Sequence, residues 1–535
     1  MGKHGTLYQV IADKSQDEVD VELIALNPLN PSTTTSATIR TINEAQSSIP
    51  VANHRDIEHN NNSKAQQSEV VDELLLIPPP ISRYWLYATH AVGQFSEVAW
   101  KFSMSFFLSA LTNHKSLVWV AAFGLSLGTA VTIGMPLVGS WIDATTLNRL
   151  QIVQRIMTIE AISIAIASIA LILLLRTSDS EHDHVPWNIF MVALNFFGAI
   201  AQLADQALLV VLERDWVVEM SRKDATWLST TNVWMRQIDL TAKVMGPVLT
   251  ATVALPILVV VIKTADNDTA REDWTRATCA IAILNILALI LQYIGTSVIY
   301  RLVPVLAMKR FHADDSRNSS TDASSSTQSS HGFFSGLKLY LSLPASGAGL
   351  ALAILYLNAL TFGNGIMTAH LLHRSMSMER IGLWRGLAAL AGLAGTWVFR
   401  WSPLTLRWTA LWSILYECAC LSVAALSVVV ALDNDIANGT ASSLSTSLLI
   451  GGVLASRTGL WVFDLCVTQI QQETVPDRVR GVVGGIQQSL NSFFGLGSFA
   501  IGLMFPENFD LYVLAAFGSV CLAVVFYLLS VRSLE

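Results

Sequence analysis

The sequence predicts an all-α polytopic membrane protein built as two six-helix bundles, and three observations carry that expectation. Of its 535 residues 52% are hydrophobic and 14% charged, with a mean hydropathy of +0.48, which excludes an ordinary soluble enzyme of this length. Windows of about twenty apolar residues, enough for a helix to cross a bilayer, recur about twelve times from Tyr84 onward. The Ser-rich stretch Asp314–Ser330 divides these windows six and six and has the composition of a flexible linker.

Residues 1–80 are rich in Asn, Ser, Thr, Asp and Glu and read as a disordered cytosolic tail. The tail lacks the basic start and apolar core of a signal peptide, so the first membrane segment is expected to act as an uncleaved targeting signal. Within it, Asp72-Glu73-Leu74-Leu75-Leu76-Ile77 fits an acidic dileucine sorting pattern. Windows 84–110, 117–142, 150–175, 187–212, 230–262 and 277–307 are expected to form the first bundle, over 84–308. A cytosolic linker over 309–343 follows. Windows 346–372, 378–401, 405–432, 445–472, 481–505 and 510–532 then form the second bundle, over 346–535.

Loop charges set the orientation. With the tail cytosolic, the inward loops hold Arg149, Arg214, Arg222, Lys223, Lys309, Arg310, Arg407, Arg478 and Arg480, while the outward loops carry Glu181, Asp183, Asp266, Asp268, Asp433 and Glu507. This satisfies the positive-inside rule with both termini cytosolic, and it places the sequons at Asn267 and Asn438 outside. The formal charge of −7 is spread over tail and loops and supports no nucleic-acid reading. The five cysteines, Cys279, Cys418, Cys420, Cys466 and Cys521, all lie in apolar segments, where buried thiols are expected.

Nothing matches a nucleotide-binding loop, HExxH or GxSxG, so neither ATP-driven transport nor a membrane enzyme is advertised. The informative residues are polar ones at membrane depth, where charge is costly unless it faces a cavity and finds a partner. They are Glu97 and Lys101 in window 1, Glu160 in window 3, Asp205 in window 4, Asp239 and Lys243 in window 5, Asn285 and Gln292 in window 6, Asn364 in window 7 and Glu417 in window 9. Glu97 and Lys101, four apart with the acid first, share a helix face and can pair. Asn285 and Gln292, seven apart, also share one face. Oxygen-rich sites of this kind suit hard or borderline divalent cations, whereas Lys101 repels a cation unless Glu97 neutralises it. Glu417-Cys418-Ala419-Cys420 mixes acid and thiols, but thiols two apart on a helix point to different faces.

A second group stands at the cytosolic helix ends: Arg214-Asp215-Trp216, Asn232, Arg236, Asp464 and Arg480. Opposite charges on the two halves can form an inner gate that breaks when a transporter opens inward. Snorkelling loop charge is the alternative.

From Tyr84 to the C-terminus, outside tail and loops, the chain resembles the ferroportin family, solute carrier family 40. Four stretches carry the resemblance: Arg214-Asp215-Trp216, Asn232 to Asp239, Arg457-Thr458-Gly459-Leu460-Trp461-Val462-Phe463-Asp464, and Arg480-Gly481-Val482-Val483 with Gln487, Ser489 and Asn491. The resemblance implies a major-facilitator fold that exports Fe²⁺ by alternating access, with proton antiport. Carried over by type, it assigns Arg149, Arg214, Asp215, Asn232, Arg236, Asp464 and Arg480 to the inner gate, and Trp100 and Asp239 to the central cavity.

The family's metal ligands are altered. Animal members hold an Asp and a His where this chain has Glu97 and Lys101, and a Cys and a His where it has Asn364 and Ser498. At the family's Ca²⁺ site the chain offers Glu97, Glu160, Ala161, Asn285 and Gln292, so one acid has moved from window 6 to window 3. With Asn364 at the Cys position that anchors the animal peptide hormone, no such regulation is expected. The sequence expectation is thus a monomeric, non-enzymatic exporter of Fe²⁺ or a related divalent metal in the plasma or vacuolar membrane. Its cation site draws on Glu97, Lys101, Glu160, Asp205, Asp239, Asn285 and Gln292. A carrier of a metal chelate or organic ion, and a transport-incompetent regulator on the same scaffold, are the alternatives.

Overall fold

The computed structural model describes residues 8–12, 21–25, 78–110, 118–177, 184–250, 270–307, 333–358, 360, 367, 370–371, 376–434, 441–504 and 508–531. The dileucine run, both sequons, the Ser-rich linker and Asn364 lie outside them. In the tail, which its composition reads as disordered, β1 (Tyr8–Ala12) and β2 (Val21–Ala25) pair antiparallel with Tyr8 opposite Ala25. The β-branched residues Val10, Ile11, Val21 and Ile24 favour these strands.

The body is helical. Its first bundle comprises α1 (Pro80–Ala110), α2 (Val118–Ala144), α3 (Arg149–Thr177), α4 (His184–Val211), the short α5 (Val217–Ser221), α6 (Ala225–Leu249) and α7 (Ala270–Leu302). The second comprises α8 (Phe333–Ser342), α9 (Ser346–Leu355), α10 (Met378–Trp401), α11 (Leu406–Asn434), α12 (Ala441–Thr474), α13 (Arg480–Met504) and α14 (Phe509–Val531). Most windows read from the sequence fall on these elements, but α8 lies within 309–343, expected as linker. Window 346–372 holds α9, with its later part largely outside the described residues, and 251–262 of window 5 lies outside them too. Among the described residues eight helices are long and apolar enough to cross a membrane, or nine if α8 and α9, bent by 112°, count as one span. The long helices α1, α6 and α13 do not meet that apolarity, because they carry the polar residues of the cavity and gate.

Local sequence explains the boundaries that matter for the site. Pro80 opens α1, where its missing N–H is no loss. After α5, Arg222 and Lys223 turn with φ of 51° and 68°, and the Asp224 carboxylate then caps α6 by accepting from Thr226 N at 2.9 Å and Trp227 N at 3.0 Å. Between α4 and α5, Leu212–Trp216 widens into a π-helical turn, a feature often found at functional sites. It changes the register of Glu213, Arg214 and Asp215, so these neighbours reach three different partners.

Within the first bundle α1 packs against α6 and α7, and α3 against α4. The bundles meet along α2 and α13, and again where α6 packs on α10 and α12. A Cβ on Gly139 would collide with the Gly481 carbonyl oxygen, and one on Gly485 with that of Met135. Small residues here let the two backbones close on each other, as membrane helices without a hydrophobic driving force require. Separate apolar cores fill the two bundles, one around Leu352, Phe463 and Tyr527 and the others around Trp216 and Phe107.

Candidate transport site and gate

His90, Gln94, Glu97 and Lys101 recur along α1 at offsets of four, three and four, so they form one stripe. Gln94, Glu97 and Lys101 line a cavity of about 410 Å³ between the bundles, with Glu213, Arg236, Asp239, Lys243, Asp464 and Thr468. Lys101 donates to Glu97, as the spacing predicts. Behind Glu97 a small pocket brings together His90, Glu97, Glu160, Asp205 and Gln292. Asp205 accepts from Gln206 Nε2 at 3.0 Å, and Glu160 Oε2 is buried without a hydrogen-bond partner among the described residues. Residues from four helices, α1, α3, α4 and α7, far apart in sequence, thus converge on one polar centre.

Two expected members stand elsewhere. Asn285 is a helix–helix tie, accepting from Ser96 Oγ at 2.7 Å and donating to Ile281 O at 2.9 Å, and it lines neither space. Trp100, expected as a cavity aromatic, is buried in the apolar core with Met104, Phe107 and Leu108. An aromatic that does line the cavity is Tyr356, at the end of α9, while Trp461 of α12 packs against two of the lining cations, its ring 5.5 Å from the Arg236 guanidinium and 5.4 Å from the Lys243 ammonium, within cation–π range. Ser498 is buried and donates to Gly495 O at 2.8 Å.

At one end of the cavity the expected gate residues form a closed network. Arg149 binds Asp215 at 3.0 Å and Glu219 at 3.4 Å within the first bundle. Arg480, from the second bundle, reaches the same acids at 3.8 Å and 2.8 Å. Arg236 spans the bundles as well, with Asp239 at 3.0 Å on its own helix and Asp464 at 2.8 Å on α12. Asn232 donates to Gln472 Oε1 at 2.6 Å, Gln472 donates to the Glu213 carbonyl at 2.8 Å, and Arg214 donates to Gln471 Oε1 at 2.5 Å. The Asp143 carboxylate accepts from the backbone N–H of Gly481 at 2.9 Å and Val482 at 2.7 Å, placing a negative charge on the positive end of α13.

Sequence reasoning missed Asp143, Glu219, Gln471 and Gln472, which only the closed packing reveals. It also missed His90, although a signal was present: the residue lies seven before Glu97 and therefore on the same face. Its Nε2 is 2.7 Å from Asp239 Oδ1, and both side chains are buried.

Two helical bundles around a central polar cavity, closed at one end by ion pairs between them, define a membrane transporter of the alternating-access kind. The comparisons agree. A bacterial homologue of the iron transporter ferroportin in its outward-facing state superposes with a TM-score of 0.67 at 20% identity, covering 84% of this chain and 99% of that one. The inward-facing state of a bacterial homologue gives 0.54 at 20% identity, covering 84% and 98%. The family model for Ferroportin1 (FPN1) matches residues 82–521, and the chain belongs to the ferroportin family. Relatives include solute carrier family 40 member 1 of Oryza sativa subsp. japonica, 30% identical over 82% of this chain and 89% of its own length. The Homo sapiens ferroportin is 24% identical over 83% of this chain and 90% of its own. The chain is a multi-pass membrane transporter and not an enzyme.

Proposed function

We propose that this chain exports Fe²⁺, or a related divalent first-row metal, from the cytosol by alternating access. The observation that carries the reading is the acid-lined cavity between the bundles, with Glu97, Asp239 and Asp464 on its wall, closed at one end by the Arg480 and Arg236 bridges. Family membership and a structure of a bacterial homologue titled with soaked iron support the metal as cargo. With both termini cytosolic, as the loop charges direct, the closed end faces the cytosol and the arrangement is outward-facing. Opening inward breaks the cross-bundle bridges, and the energy of those bridges sets the balance between the two states.

A second reading has its own observation. Lys101 stands on the cavity wall beside Glu97, where it can serve as the fixed countercharge of an anionic chelate. Reconstitution into proteoliposomes separates the two. Protein-dependent movement of free Fe²⁺, Co²⁺ or Mn²⁺ supports the metal reading, and flux no greater than in empty vesicles overturns it.

A further inference from the structure

We infer that His90, Glu213 and Asp239 form a divalent-cation site deeper than Glu97, at the junction of cavity and gate, and that an ion bound there works against the Arg236–Asp464 bridge. The site rests on the export reading above for its role but not for its existence. One ligand atom from each of the three residues lies within 4.8 Å of the others. With metal–ligand bonds of about 2.1 Å, two ligands on one ion lie at most about 4.2 Å apart, so a small inward shift of the side chains completes the set. One imidazole and two carboxylates suit Fe²⁺, Mn²⁺ and Co²⁺ better than Ca²⁺ or Mg²⁺, which prefer oxygen alone.

Position favours the same reading. His90 lies about 10 Å along α1 from Glu97, at ~1.5 Å per residue. It lines the small pocket, whereas Glu213 and Asp239 line the main cavity, so the three meet between the gate and Glu97, where an ion entering from the cytosolic side arrives first. The π-helical turn presents Glu213 to this point while Asp215, two residues on, serves Arg149. The N-half position that relatives give to a metal ligand is held here by Lys101, already bonded to Glu97. The His90 set has no lysine among its three members.

The link to the gate is a shared ligand. Asp239 gives Oδ1 to His90 and Oδ2 to Arg236, and the other arm of that guanidinium holds Asp464 across the bundles. A cation on Asp239 competes with Arg236 for the carboxylate and repels its charge. The Glu213 backbone carbonyl is held by Gln472 of α12, so movement of either Glu213 or Arg236 is felt in the second bundle.

The test uses the full chain in nanodiscs and Co²⁺ or Mn²⁺ as the probe. In calorimetric titrations His90→Gln and Glu213→Gln should each weaken Co²⁺ binding at least about tenfold, since losing even a group that only orients a metal ligand costs about 10–100-fold. Arg236→Gln should tighten it, and Glu417→Gln, outside the cavity, should change it by less than about threefold. Pulsed EPR of Mn²⁺ on the unmodified chain should show coupling to an imidazole nitrogen, lost in His90→Gln and kept in Glu213→Gln. Unchanged affinity in folded His90→Gln, or Mn²⁺ without nitrogen coupling, overturns the site. A chain that binds Co²⁺ through His90 yet moves no free metal instead overturns the export reading and leaves the site standing.

Discussion

Glu97 and Glu417 are both carboxylates in the middle of apolar helices, one in each bundle, and the structure gives them opposite surroundings. Glu97 pairs with Lys101, joins Glu160 and Asp205 in one pocket and faces the central cavity. Glu417 is fully buried in α11, and neither of its oxygens has a hydrogen-bond partner among the described residues. Cys418 beside it contacts Cys521 of α14 at 3.7 Å, and among the described residues no acid–thiol cluster gathers there. Burial of an acid at membrane depth is therefore a weak sign of function by itself. The signal is convergence: several polar residues from different helices around a space that solvent and cargo can enter.

That contrast can be broken most forcefully at the gate. Asp215→Ala removes one of the two acids that Arg149 and Arg480 share and leaves Glu219 to serve both, and breaking a buried ion pair costs up to about 3–5 kcal/mol. A clear fall in thermal midpoint together with loss of export is the expected result, and an unchanged midpoint would show that the network carries no stability. Next comes Glu97→Ala, which leaves Lys101 unpaired on the cavity wall. Fe²⁺ flux should drop about tenfold, the loss expected when one polar group of roughly 1.4 kcal/mol is removed from a passing ion, and unchanged flux would remove Glu97 from the transport path.

Lys101→Met sharpens the choice of cargo. Taking a positive charge off the wall should lower the half-saturating metal concentration about threefold to tenfold, since charges near protein surfaces interact by a few kcal/mol before screening. An anionic chelate carrier would respond with the reverse. Smallest of all is the effect of Glu417→Gln, a near-isosteric change outside the cavity. Flux should stay within about twofold of the unmodified chain, because substitutions remote from a site contribute little to it. A tenfold loss would mean that the second bundle has an acid-dependent step of its own.

Much of this was legible in the sequence. Helix positions follow from apolar length, the Glu97–Lys101 pair from a spacing of four, and the gate residues from charged motifs at helix ends. The convergence of Glu160, Asp205 and Gln292 on Glu97 was expected as a set but not as a geometry, since helix order around a bundle is set by packing and not by local pattern. Asn285 shows the difference. Its spacing from Gln292 put the two on one face, yet Ser96 of α1 claims it, and no reading of α7 alone contains that neighbour. Trp100 likewise sits one residue from Lys101 and still turns into the core.

By itself the sequence determined the membrane-spanning character, the two-bundle division and the residues whose charge demands an explanation, because these rest on composition and on helical periodicity, which are local. Only the tertiary structure decided which demands are met together: Asp143 on the end of α13, Arg236 shared between Asp239 and Asp464, and His90 against Asp239 across 149 residues. The physical reason is that buried charge is settled pairwise over a few ångströms, and those pairings exist only after the two bundles have closed on one another.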